Sequence, residues 1–147
     1  MTAKRNNRII LIFITILLTV SQSCNFDQVE SKYSDFKSAD KDRLFEKGWI
    51  PSDFIFNSMT NIYHRTNLDL NSCVFNYDLS KSDMETLKQK IKPSSQKIEK
   101  NHGVKISSDW IELVNELNHY YFVSPSKNDT VYLAIDENNN RIYGWRK

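Results

Sequence analysis

Glycine is scarce in this chain: Gly48, Gly103 and Gly144 are the whole supply. Three glycines so far apart cannot build a phosphate-cradling loop, and no Gly-x-Ser-x-Gly elbow is present to raise a nucleophilic serine. Cysteine is scarcer, with only Cys24 and Cys73. His64, His102 and His119 lie far apart, with no Cys or His at ligand spacing and no His-Glu-x-x-His helix, so a zinc site has no local support. Each histidine reads as surface or strand filler. No catalytic residue, metal or cofactor is expected from these patterns, and the chain reads as a non-enzyme. A basic block is missing as well, which removes the electrostatic footprint of a nucleic-acid binder.

Long apolar runs are absent apart from one, and that one sits in an export signal. Lys4, Arg5 and Arg8 precede a stretch from Ile9 to Val20 that is apolar except for Thr15 and Thr19, and Ser21-Gln22-Ser23-Cys24 follows. A basic start, a short apolar middle and a small residue before the cut form the n-region, h-region and cleavage site of a secretory signal. As a helix, Ile9 to Val20 would reach about 18 Å, short of the roughly 30 Å hydrocarbon core of a bilayer. The cysteine at the cut resembles that of a bacterial lipoprotein signal, so removal of residues 1–23 and lipidation of Cys24 are expected; the alternative is an ordinary secretory signal cut near Ser23 that leaves Cys24 a plain thiol. Ser21 stands where leucine is usual in the lipobox.

The signal holds three of the 20 Lys and Arg and none of the 18 Asp and Glu, so the mature chain is close to neutral. With Cys24 carrying lipid, Cys73 has no partner for an intrachain disulfide. No cationic neighbour in sequence would lower its pKa, so it reads as a small hydrophobe buried on a strand. Residues 24–37 are polar, with scattered Val29, Tyr33 and Phe36, and read as a weakly ordered tether. A single domain is expected over 38–147.

Within that domain, Ser38-Ala39-Asp40 can cap a short helix through Leu44, Phe45 and Lys47, with Gly48 as its left-handed stop and Pro51 preventing continuation. Met59 to Thr66 and Asn71 to Leu79 are extended runs flanking the turn Asn67-Leu68-Asp69-Leu70. Cys73, Phe75, Tyr77 and Leu79 share one face, and Ser72, Asn76 and Asp78 share the other with Val74 as the exception. One buried face and one wet face are therefore expected.

Ser80 can cap a second helix, with Leu79 stapled to Met84, while Ser82 with Glu85 offers a competing capping box; Met84, Leu87 and Ile91 share one side, and the helix ends at Pro93. Residues 93 to 106 read as an irregular link. Asp109 followed by Glu112 suggests a third helix with the stripe Trp110, Leu113, Val114 and Leu117. Tyr120 to Val123, Val131 to Ile135 and Arg141 to Trp145 read as strands of an antiparallel meander. The fold class expected is α+β: an antiparallel sheet of about five strands on two or three short helices.

Two Asx-rich turns echo calcium loops: Asn67, Asp69 and Asn71 followed by Asp78, and Asp136, Asn138 and Asn140. The glycine required at the sixth position is Ser72 in one and Arg141 in the other, so both read as hairpin turns. Tyr120, Tyr121, Phe122, Tyr132, Tyr143 and Trp145 crowd the C-terminal strands, and alternation puts some of them on the outer face, where a protein or a glycan could dock unless Lys and Arg stems cover them.

With Gly48-Trp49-Ile50-Pro51, then Ser58 to Ile62, then Asn67-x-Asp69-x-Asn71 and a strand ending in Phe75, the middle of the chain resembles small bacterial lipoproteins with YbbD-head-like domains. The likeness covers about residues 40 to 80 and, more vaguely, Tyr132 to Trp145. It implies a compact α+β domain at the cell envelope and brings no catalytic residue. The expectation is a lipoprotein tethered to the membrane on the exported side, outer membrane or periplasmic face in a diderm, that binds an envelope protein or glycan. An envelope inhibitor or immunity protein, and a small envelope hydrolase, remain open as alternatives.

Overall fold

The computed structural model describes residues 28–124 and 129–146. They form one antiparallel sheet of seven strands in the order β1-β2-β3-β7-β6-β5-β4. The strands are β1 (Gln28–Asp35), β2 (Thr60–Asn67), β3 (Ser72–Asp78), β4 (Lys92–Pro93), β5 (Asn118–Ser124), β6 (Asp129–Asp136) and β7 (Arg141–Arg146). Three helices join them: α1 (Phe36–Lys41), α2 (Lys81–Lys88) and α3 (Ser108–Glu116), with short 3-10 turns at Phe45–Lys47 and Ser52–Phe54. The α+β class stands. The sheet is wider than the expected five strands, because β1 and β4 add an edge at each side.

β1 replaces most of the expected tether. Residues 28–35 pair antiparallel with β2, from Gln28 opposite Asn67 to Asp35 opposite Thr60. As an edge strand, β1 takes its structure from that ladder and not from apolar alternation of its own. The first helix starts earlier than Ser38 as a result. Asp35 is its N-cap, accepting from the Ser38 N–H at 2.8 Å, and the Ser38 hydroxyl accepts in return from the Asp35 N–H at 3.3 Å. This reciprocal box satisfies two otherwise orphaned donors. The helix stops at Lys41, and Gly48 takes the expected left-handed conformation, φ 69°, after the 3-10 turn.

Ser80 caps α2 as its position predicts, accepting from the Asp83 N–H at 3.2 Å, and Met84 and Leu87 are its buried residues. In α3 the cap is Ser107, two residues before Asp109, accepting from the Trp110 N–H at 3.3 Å. The helix turns accordingly: Ile111 and Val114 are buried, and Leu113 is 44% exposed.

Both faces of the sheet are covered, which corrects the expectation of one wet face. On the first face Phe75, Tyr77, Leu133 and Ile142 pack with Met84 of α2 and with Leu44 and Phe54 from the β1–β2 crossover. On the second, Val74, Ala134, Tyr143 and Trp145 lie under α3 and under Ile98 and Val104 of the link that follows β4. Val74 is thus a core residue of that second layer, and the link is a packed cover. The Asn115 side chain pins it, donating to the Ile98 carbonyl at 3.1 Å and accepting from the Ile98 N–H at 3.0 Å.

His64, on the first face of β2, is 2% exposed, and neither ring nitrogen has a hydrogen-bond partner. Burial, aided by the charge of Lys47, lowers its pKa from 6.5 to about 4. Above pH 6.5 the ring is neutral folded or unfolded. Between pH 6.5 and about 4 the unfolded chain takes up a proton that the folded chain refuses, so stability falls as pH falls through that window. The loss by pH 4 is on the order of 3 kcal/mol. Urea midpoints measured from pH 7 to pH 4 should therefore slope more steeply in the wild type than in His64→Phe.

Candidate binding groove

Cys24, the lipidation residue expected from sequence, lies outside the described residues, as does the segment 125–128 of the β5–β6 turn. Among the described residues no helix is long and apolar enough to cross a membrane.

Cys73 is fully buried, and its thiol is pushed up to about 12, chiefly by burial. A thiol held protonated that far above neutral pH is no nucleophile. The Asx turns are occupied by their own backbones: Asn67 Oδ1 accepts from the N–H groups of Asp69 and Leu70 at 3.1 and 3.2 Å, and Asp136 Oδ1 accepts from that of Asn139 at 3.2 Å. Asn71 and Asn140 take the left-handed conformation that closes each turn. The histidines are placed separately: His64 and His119 fill strand positions as expected, buried on β2 and half-buried on β5 against Trp145, while His102 is buried in the link, neither surface nor strand.

Most of the C-terminal aromatics are packed into the two layers, and Tyr121 and Tyr132 alone line a shallow surface depression beside Gln96 and Val123. Tyr143 and Trp145 are buried, and Tyr132 stacks on Trp145 at 6.0 Å between centroids. Tyr120 and Phe122 belong to the opposite layer.

A larger open surface lies at the other end of the second face. There α3 and the link stop short of β1 and β2, leaving a shallow groove of about 430 Å³ lined by Lys32, Tyr63, Arg65, Asn76, Lys105 and Trp110, among others. Strand register aligns its floor: Lys32 stands opposite Tyr63, and Tyr63 opposite Asn76. Trp110, at the start of α3, forms the wall and is held edge-on against Tyr143 at 5.6 Å. Arg65 reaches beneath the link and donates to the Lys105 carbonyl at 2.5 Å.

The charge here is lopsided. Glu30 is shared by two cations, Lys32 at 3.0 Å and Arg65 at 2.9 Å, while Lys105 adds a third. The hydrogen bond from Lys32 and then the charge of Arg65 hold the Glu30 carboxyl below its usual range. Lys32 also lies over the Tyr63 ring at 5.7 Å, a weak cation–π contact at the groove's edge. Burial pushes the Tyr63 phenol up, so it stays a neutral hydroxyl at physiological pH. The arrangement offers two aromatic surfaces, an amide and a cationic excess, and brings no nucleophile and base together.

Sequence reading missed this groove because its residues are scattered over β1, β2, β3 and the link. The alternation of Tyr63 and Arg65 along β2 is the one local trace of it.

Residues 27–78 match the family model of the YbbD head domain. The match begins earlier than the sequence likeness and takes in β1, so it spans β1 to the end of β3 and contains Lys32, Tyr63, Arg65 and Asn76. The wall formed by Lys105 and Trp110 lies beyond it. No curated protein and no solved structure matches the chain.

Proposed function

We propose that this chain is a cell-envelope lipoprotein, anchored through acylated Cys24, whose folded domain is a non-catalytic binding module for an anionic envelope glycan. The groove on the second face is the observation that carries the reading. Aromatic rings such as Tyr63 and Trp110 present flat apolar surface to the apolar face of a sugar, at small entropic cost. Lys32 and Lys105 favour a carboxylate or phosphate substituent, and Arg65, engaged with Glu30 and the Lys105 carbonyl, adds its charge beneath them. Asn76 supplies both a donor and an acceptor for hydroxyl groups.

Titration of the protein with galacturonate oligomers, alongside neutral cello-oligomers, tests this. Binding of the acidic series should weaken as salt is raised, because the charges are solvent-exposed. Lys105→Glu, which leaves the aromatic walls intact, should weaken it about tenfold, a loss of one favourable charge contact and gain of one unfavourable. Equal binding of neutral and acidic oligomers, or no difference between wild type and Lys105→Glu, would remove the charge argument.

A further inference from the structure

Among the described residues β1 is the outermost strand of the sheet, and the backbone groups along its outer side form a template for another strand. Its sequence, Gln-Val-Glu-Ser-Lys-Tyr-Ser-Asp from Gln28 to Asp35, is complementary to itself when reversed about Ser31. We propose that β1 is a homodimer interface, pairing antiparallel with β1 of a second copy about a two-fold axis through Ser31, so that the two sheets become one.

The register follows from charge. A two-fold perpendicular to the sheet must pass through a residue, since successive side chains alternate faces. With Ser31 on the axis, Glu30 stands opposite Lys32 of the second copy and Lys32 opposite its Glu30, while Val29 meets Tyr33 on the other face. Shifting the axis to Glu30 would set two carboxylates opposite each other, and shifting it to Lys32 would set two ammonium groups so. Directly opposed like charges destabilise a ladder and opposite charges support it. The Ser31 register pairs seven residues, 28–34; the Lys32 register pairs as many, 29–35, so charge and not length decides between them.

The apolar pair has something to gain, because Val29 is 41% exposed in the single chain. Lys32, with a side chain 72% exposed, is free to swing from its own Glu30 to that of the second copy. In this register the two grooves share one face and meet at the axis, with Lys32 of each copy beside Glu30 of the other.

Disulfide trapping tests the register on the purified full-length chain in detergent, with copper phenanthroline as oxidant. Ser31→Cys should yield a covalent dimer on a non-reducing gel at least tenfold more abundant than Gln28→Cys, whose copies lie far apart across the axis. Adding Lys32→Glu to Ser31→Cys should cut that dimer about tenfold by opposing Glu30 with glutamate twice, and the further change Glu30→Lys should restore it to within about threefold. The restoration distinguishes the cross-strand pair from loss of folding. Equal trapping of Ser31→Cys and Gln28→Cys, or indifference to both charge reversals, overturns the proposal.

Discussion

Gly144→Ala should destabilise the domain strongly. Gly144 sits on β7 directly opposite Phe75 of β3 and Leu133 of β6. A Cβ built there would overlap the Phe75 ring, which is itself fully buried and lies parallel to Tyr77 at 6.0 Å. The ring cannot swing aside. Tyr77 is tied by its hydroxyl to the Phe54 carbonyl at 3.0 Å, and the neighbours of both are core residues. Overpacking of a dense core costs about 1–3 kcal/mol and occasionally more, and here the obstruction is a rigid aromatic ring held on two sides. We expect a loss at or above the top of that range, a large part of the roughly 5–15 kcal/mol that holds a domain of this size. Thermal melting of Gly144→Ala and Phe75→Leu, singly and together, checks the cause: the double variant should lose less than the two single losses added, because the smaller side chain makes room. Simple additivity would refute the clash.

Cys24→Ser should abolish metabolic palmitate labelling and move the protein out of the membrane fraction. This follows from the signal-like N-terminus and the short apolar run behind it. Each buried methylene contributes about 0.8 kcal/mol, and one acyl chain gives only marginal binding, so the two or more chains of a diacylglyceryl cysteine are what hold a protein stably. Without them the twelve-residue apolar run, at about 18 Å, is a poor substitute for a span of roughly 30 Å. Labelling that survives in Cys24→Ser, or a wild type that takes no label, would end the lipoprotein reading. The groove and the β1 interface would stand apart from that result, since neither depends on the anchor.

The elements legible in the sequence were those whose cause is local. The β2–β3 hairpin was marked by Asn67 and Asn71 at its turn, the Ser80 cap by its place before Met84, the left-handed stop at Gly48 by the Pro51 that follows, and the last three strands by their aromatic and β-branched runs. What escaped has a distant cause. Gln28–Asp35 is a strand because β2 offers it a ladder, and its polar residues resemble a linker until that partner is present. Val74 looked like an exception to alternation because the layer that buries it comes from residues 98 to 114. The groove is harder still to read, since it is defined by where that covering layer ends.

One consequence of β1 concerns reach. Strand structure begins at Gln28, four residues after Cys24, and four residues span at most about 14 Å however they run. On a lipid anchor at Cys24 the domain is thus moored at short scope and cannot sample distant layers of the wall. Whatever it captures must then come to the bilayer surface, and the Gln28 end of β1, opposite Asn67, is the part kept closest to that surface.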